Sequence, residues 1–250
     1  MAKIKNSAPF TAPLEGYSVV NNSDGSVYLR RRSRVSKERI AIDPSFKRLR
    51  ENLQEFTTMA KATKLIRTTF GDLKDRIHFR TLNARLSSVV SKIKYLDNES
   101  MRGERKISSG IATDEGKALL NGFSFSELST INSVMTKAYV LNEETKAVTI
   151  TGLVTNENLN WTPGADVVGI KMRWANIDFD KNEFDVVESI EVKSPKSQVP
   201  LNISLAFANP PTGSGVNVVV MVITFYQSVN GVDYIFMNSS YNVAQIISVS

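Results

Sequence analysis

Apolar and polar positions along this chain follow two rhythms, and the change from one to the other divides it. Phe46, Leu49, Leu53, Phe56, Ala60, Thr63, Ile66 and Phe70 recur at spacings of three and four, which places them in one row along a helix of about seven turns. Asp43-Pro44 predicts its start, because Asp caps free backbone N–H groups and Pro fits the first helical position. Gly71-Asp72 predicts its end. Leu82, Leu86, Val89, Ile93 and Leu96 repeat the rhythm. The short link between the two predicts antiparallel helices packed along their apolar stripes. Residues 98–116 are polar, with Gly103, Gly110 and Gly116, and predict a loop.

From about Asn121 the period becomes two. Val148 and Ile150 alternate with Thr149 and Thr151, and Val168, Ile170, Met172 and Trp174 alternate with Gly169, Lys171, Arg173 and Ala175. Further strands are predicted at 184–192, 201–207, 216–226, 232–237 and 243–249, with turns at 142–146, 161–164, 180–183, 209–215 and Asn230-Gly231. Their count and spacing predict an immunoglobulin-like sandwich. Residues 216–226 are apolar on both faces, where a sandwich strand normally keeps one polar face. The two helices, or another subunit, must cover the second face.

Upstream, two β-prone stretches, 17–20 and 26–32, flank a turn at Asp24-Gly25 and predict a hairpin. The expected fold is therefore α+β: an N-terminal β-hairpin arm and an antiparallel helix pair in residues 1–120, then an antiparallel β-sandwich in residues 121–250.

Charge sharpens this division. Residues 1–120 carry 24 Lys+Arg against 13 Asp+Glu, and residues 121–250 carry 7 against 12. A basic half and an acidic half suit an anionic partner, head-to-tail attraction between subunits, or attraction within one chain. The absence of cysteine excludes disulfides, thiolate nucleophiles and cysteine-ligated metal centres. The N-terminus begins with lysines but no apolar run follows them, and no apolar run is long enough to span a membrane. These features predict synthesis in the cytoplasm without a secretory signal. They leave open a later location in a particle or outside the cell after lysis.

The one concentration of chemistry is basic: Arg30, Arg31, Arg32, Arg34, Lys37 and Arg39. Guanidinium forks suit phosphates and carboxylates. Tyr28 is the only nearby aromatic, so no base-stacking platform accompanies them. On a strand these arginines alternate faces, which splits the patch.

Other candidates read as structural. His78 is the sole histidine, so no Ser-His-Asp or Cys-His arrangement can be built without it. The run from Asp178 to Asp185 lacks the Gly and the terminal Glu of a calcium loop and reads as a hairpin turn with solvated acids. Gly213-Ser214-Gly215 matches no phosphate-binding fingerprint. Glu188 falls on the Phe184/Val186 side of its strand, and a bulge turning it outward is expected. No cofactor, metal or small-molecule substrate is expected.

Arg50-Glu51-Asn52-Leu53-Gln54-Glu55-Phe56, Lys61-Ala62-Thr63-Lys64-Leu65-Ile66-Arg67 and Arg102-Gly103-Glu104-Arg105 resemble a set of uncharacterised Bacteroidetes proteins of similar length. The order of parts is also similar: basic hairpin, helix pair, RG[EQ]R loop, β-rich tail. The resemblance covers mainly residues 25–120. It implies a source among those bacteria and carries no activity or functional residue with it.

These readings lead to an expectation of a non-enzymatic structural subunit that self-associates into a particle, tube or array, as virion-like shells do. The alternative is a nucleic-acid-binding protein using the basic arm, possibly within such an assembly. A third is an adhesion or carbohydrate-binding sandwich, for which Trp161 is the only aromatic candidate.

Overall fold

The computed structural model describes residues 3–4, 16–22, 24–31, 35–77, 81–236 and 241–250. His78, Arg32 and Arg34 lie outside these residues. The chain divides into two compact units, Met1–Asn52 and Leu53–Ser250.

The first unit begins with a three-stranded antiparallel sheet of β1 (Lys3–Ile4), β2 (Tyr17–Asn21) and β3 (Val27–Arg31), in the order β1-β3-β2. Its predicted hairpin turns where Asp24 Oδ1 accepts hydrogen bonds from the N–H and hydroxyl of Ser26. Gly25 there takes φ +76, which a side chain would disfavour. A short helix, α1 (Lys37–Ile42), follows, with Ser36 as its N-cap. Asp43 then caps a single 3₁₀ turn, Pro44–Phe46, which leads into α2 (Lys47–Thr69).

The second unit contains α3 (Leu82–Lys94), α4 (Ile107–Ala112), α5 (Asp114–Leu120) and α6 (Ile131–Val134), then β4 (Val140–Leu141) and β5 (Val148–Leu153). After the single turn α7 (Thr155–Asn158) come β6 (Val167–Asp178), β7 (Glu183–Glu188), β8 (Val192–Pro195) and β9 (Leu201–Leu205). The long β10 (Val216–Val229), β11 (Val232–Ile235) and β12 (Val243–Val249) end the chain.

The large antiparallel sheet is built on β10 and β6, which pair from Val216↔Ile177 to Tyr226↔Val167. β12 and β11 share the other edge of β10, and β7 and β8 share the other edge of β6. The small sheet has the order β4-β5-β9. One face of the large sheet, with Ile170, Met172, Val219, Met221 and Ile223, packs on Val148, Ile150, Ile203 and Leu205 of the small sheet. The other face, with Ala175, Ile177, Val218, Val220 and Val222, packs on Ile66, Phe70, Leu86, Ile93, Ile111 and Leu120 of the helical layer. This answers the question posed by the doubly apolar strand: within one chain, helices cover one face of β10 and a second sheet covers the other. The topology is a curled antiparallel sheet between helices and a smaller sheet, and an immunoglobulin-like strand order is not established by it.

Several expectations need correction. Residues 98–116 are not all loop, because α4 lies within them and α5 begins there. Gly110 and Gly116 permit close packing rather than breaking helices: a Cβ on Gly110 would overlap the carbonyl oxygen of Ile93, and one on Gly116 that of Gly110. α3 accordingly packs most extensively on α4 and α5, not on α2. Residues from both sides of the expected 120/121 division share the helix-facing core.

The apolar row on α2 is half right. Its average step, about 3.4 residues, is shorter than the turn of a straight helix, so the row winds round the surface. Thr63, Ile66 and Phe70 are buried, whereas Leu49, Leu53 and Phe56 remain exposed, Phe56 by 62%. The buried residues of α2 are Glu55, Met59, Ala62, Thr63, Leu65, Ile66 and Thr69.

Candidate functional site

In the first unit, cross-strand register places Arg30 opposite Ser18 and Arg31 opposite Tyr17. Neighbouring residues on a strand project to opposite faces, so the two arginines divide as the alternation predicts. One face carries Tyr17, Val19, Val27, Leu29 and Arg31, and the other Ser18, Val20, Tyr28 and Arg30. Lys37 begins α1. Arg39, also on α1, pairs with Asp43 (Nε to Oδ2, 3.1 Å) and lies 5.9 Å above the centre of the Phe46 ring. Hydrogen bonds from Ser45 and from Arg39 hold the Asp43 carboxyl below its usual pKa. Arg50 donates to the carbonyls of Ile40 and Asp43 at 2.8 and 2.9 Å, fastening α1 to the start of α2. No described side chain of this unit is buried, although the Tyr17/Val19/Val27/Leu29 face is apolar.

The second unit holds two ionic clusters that the sequence reading did not assemble. On the helix-facing side of the large sheet, Arg76 Nη1 donates to Glu191 Oε1 at 3.0 Å and to the Tyr226 hydroxyl at 2.7 Å. That hydroxyl donates to the same carboxylate oxygen at 2.6 Å. Burial, followed by the bond to Glu191, pushes the Tyr226 phenol up to about 12. Burial works to lower the pKa of Arg76, but Tyr226 and Glu191 outweigh it and raise it. Gly169 leaves room for the pair, since a Cβ there would meet Glu191 and Tyr226. Beside it, Arg173 pairs with Asp72 and Glu188, and Lys171 Nζ lies 2.8 Å from Glu188 Oε2.

Glu188 therefore keeps its place in register opposite Arg173. Four residues lead from Glu188 to Val192 where three lead between their partners, Arg173 and Ile170. The extra residue comes after Glu188 rather than turning it outward. The alternating lysine and arginine on β6 were the available signal for this acid's partners.

The other cluster draws together two of the quoted motifs. Buried Glu55 lies 2.8 Å from Lys94 Nζ, accepts from Gly103 N–H at 2.9 Å and lies 3.7 Å from Arg105. Burial opposes its ionisation, but Lys94 and the Gly103 amide outweigh it and lower its pKa. Asp97 accepts from the N–H groups of Glu99, Ser100 and Lys106. Both acids thus pin the loop from Asn98 to Lys106. Lys94 and Arg105 also lie over the Tyr95 ring.

Concave surface gathers round the turn between β6 and β7. A cavity of about 520 Å³ lies between Asn98, Glu99, Ser108, Thr113 and Asp180. A second, of about 250 Å³, lies between Thr58, Lys61, Phe179, Asp180 and Asn182. Asp178 Oδ1 accepts from the N–H groups of Asp180 and Lys181, and Asn182 takes φ 58. This is the geometry of a tight hairpin turn. Among the described residues, no group of three or more Asp, Glu, His or Cys is placed to hold a metal ion. Trp161 donates to the carbonyl of Thr155 at 2.6 Å and stacks edge-on against Phe225. No helix among the described residues is long and apolar enough to cross a membrane.

No protein-family model, curated protein or solved structure matches this chain.

Proposed function

We propose that this chain is a structural subunit that assembles with copies of itself, its N-terminal unit docking on a neighbour. The observation that carries this reading is the first unit's small sheet, whose apolar face of Tyr17, Val19, Val27 and Leu29 is attended by no buried side chain among the described residues. A small sheet gains independent stability only when such a face is covered. A neighbouring subunit supplies the cover, as arms in assembled particles do. Charge favours the same partner. Met1–Asn52 carry 11 Lys+Arg against 5 Asp+Glu, and residues 121–250 lean acidic.

A second reading shares the arm. Its basic excess also suits nucleic acid, with Arg30, Arg31, Arg32, Arg34, Lys37 and Arg39 neutralising phosphates in a salt-dependent way. The ion pair of Arg39 with Asp43 reduces that residue's share. The carbohydrate-binding reading has weaker support, because Trp161, its candidate, is engaged inside the protein.

Light scattering of the full chain across a concentration series tests the proposal. Wild type is expected to form oligomers, and Leu29→Glu to shift the association midpoint at least tenfold higher. A strict monomer whose first unit is nonetheless protected from hydrogen exchange overturns it. Nucleic acid co-eluting with the wild type, and lost at high salt, supports the second reading.

A further inference from the structure

The exposed side of α2 within the second unit has a defined chemistry. Leu53, Phe56 and Ala60 follow one another at steps of three and four and are all exposed, Leu53 by 51% and Phe56 by 62%. Continuing at the same helical angle come Lys64 and Arg67, also exposed. This side of the helix is therefore apolar for two turns and then cationic. It is distinct from the core-facing side and contains no residue of the ionic clusters.

The other flank of the same helix faces a complementary surface. Thr58 and Lys61 line the 250 Å³ cavity with Phe179, Asp180 and Asn182 at the tip of the β6–β7 hairpin. That hairpin carries Asp178, Asp180, Glu183 and Asp185 against a single Lys181. Phe184, between Glu183 and Asp185, is 40% exposed. Phe184 pairs with Ile177 and so lies on the helix-facing side of β7, with Glu183 and Asp185 on the other side; an exposed apolar side chain on an acidic hairpin complements the Leu53/Phe56/Lys64/Arg67 side. Within one chain the two surfaces lie on opposite flanks of α2, so the seam does not close on its own hairpin.

From this placement we infer that α2 is the site of a two-fold contact with a second copy of the chain. The axis runs along α2, and the Leu53/Phe56/Lys64/Arg67 side of each copy receives the other's acidic β6–β7 hairpin around Phe184. A two-fold axis parallel to a helix sets one flank of the first copy against the opposite flank of the second, so both halves of the contact are satisfied at once. Opposite charge sets the register, and the apolar residues supply the contact at its centre. The inference rests on the reading of the chain as a self-assembling subunit, but uses a surface separate from the N-terminal unit.

A charge-swap mixing experiment on the full-length chain tests it, with sedimentation equilibrium as the readout. Lys64→Glu and Glu183→Lys each place like charges across both halves of the contact. Each variant alone is expected to dimerise at least tenfold more weakly than wild type, while a one-to-one mixture recovers wild-type association as a mixed dimer. Phe56→Asp is expected to abolish the dimer with no partner able to restore it. All three positions are exposed, so circular dichroism should be unchanged. A mixture no tighter than its components overturns the inference, as does a Phe56→Asp variant that associates like wild type. If Leu29→Glu abolishes all association while these variants do nothing, the α2 contact fails and assembly through the N-terminal unit stands. If the α2 variants dissociate the protein and Leu29→Glu does not, the converse holds.

Discussion

Asp97 receives backbone N–H groups from residues two, three and nine positions further along the chain, and it is buried. Burial alone would raise its pKa, yet the amides of Lys106, Ser100 and Glu99, with the Ser100 side chain, hold it down to about 2. A folded pKa below the unfolded value means stability that is full above about pH 4. It is lost as the pH falls towards 2. Replacing Asp97 by Asn removes this charge and is expected to flatten that part of the stability curve. Urea denaturation of both proteins between pH 5 and pH 2 measures it, and equal slopes would contradict the assignment. Asn242 shows the limit of reading single residues. Its amide bonds to the carbonyls of Arg76 and Phe236 and to the N–H of Phe225. Nothing local in the sequence distinguishes this fully buried Asn from one in a turn, because its partners lie 6, 17 and 166 positions away.

Secondary elements were legible where their signals are local. The Asn230-Gly231 turn between β10 and β11 has positive φ at both residues, 53 and 79, as a tight hairpin of that composition requires. The long alternation on β6 and the unbroken apolar run of β10 both mark strands that exist. Segments with glycine misled, because glycine serves close packing as well as chain reversal. In α4, Gly110 lies against the backbone of Ile93 in α3. Gly110→Ala is expected to cost about 1–3 kcal/mol through forced separation of the two helices, although Ala is the better helix former. Thermal unfolding of the variant decides between these effects: a raised melting temperature would mean the helices part without strain. The basic patch was legible as composition. That Arg30 and Arg31 diverge follows from strand alternation, whereas the Arg39–Asp43 pairing depends on the short helix that holds them four residues apart.

At the scale of the molecule, the two units differ in what supports them. In the second, the large sheet has apolar residues on both faces, and each cover comes from a different stretch of chain. Residues 121–250 alone would leave Ala175, Ile177, Val218, Val220, Val222, Ala244 and Ile246 without their helices. That fragment is expected to be aggregated or loosely packed, while the chain from Leu53 onward retains a cooperative fold. Near-ultraviolet circular dichroism and calorimetry of the two fragments check this, and a sharp transition in the shorter one would contradict it. In the first unit no described side chain is buried, and the proposed neighbour takes the place of a core.

Periodicity, turn chemistry and charge in the sequence determined the helix row, most strands, the hairpins and the basic arm, because each depends on residues within a turn or two of one another. Tertiary structure alone decided which side of α2 meets the core, that Glu55 and Asp97 secure the loop from Asn98 to Lys106, and which elements cover each face of β10. Those outcomes depend on which distant surfaces exclude water together, and local spacing carries no record of that choice.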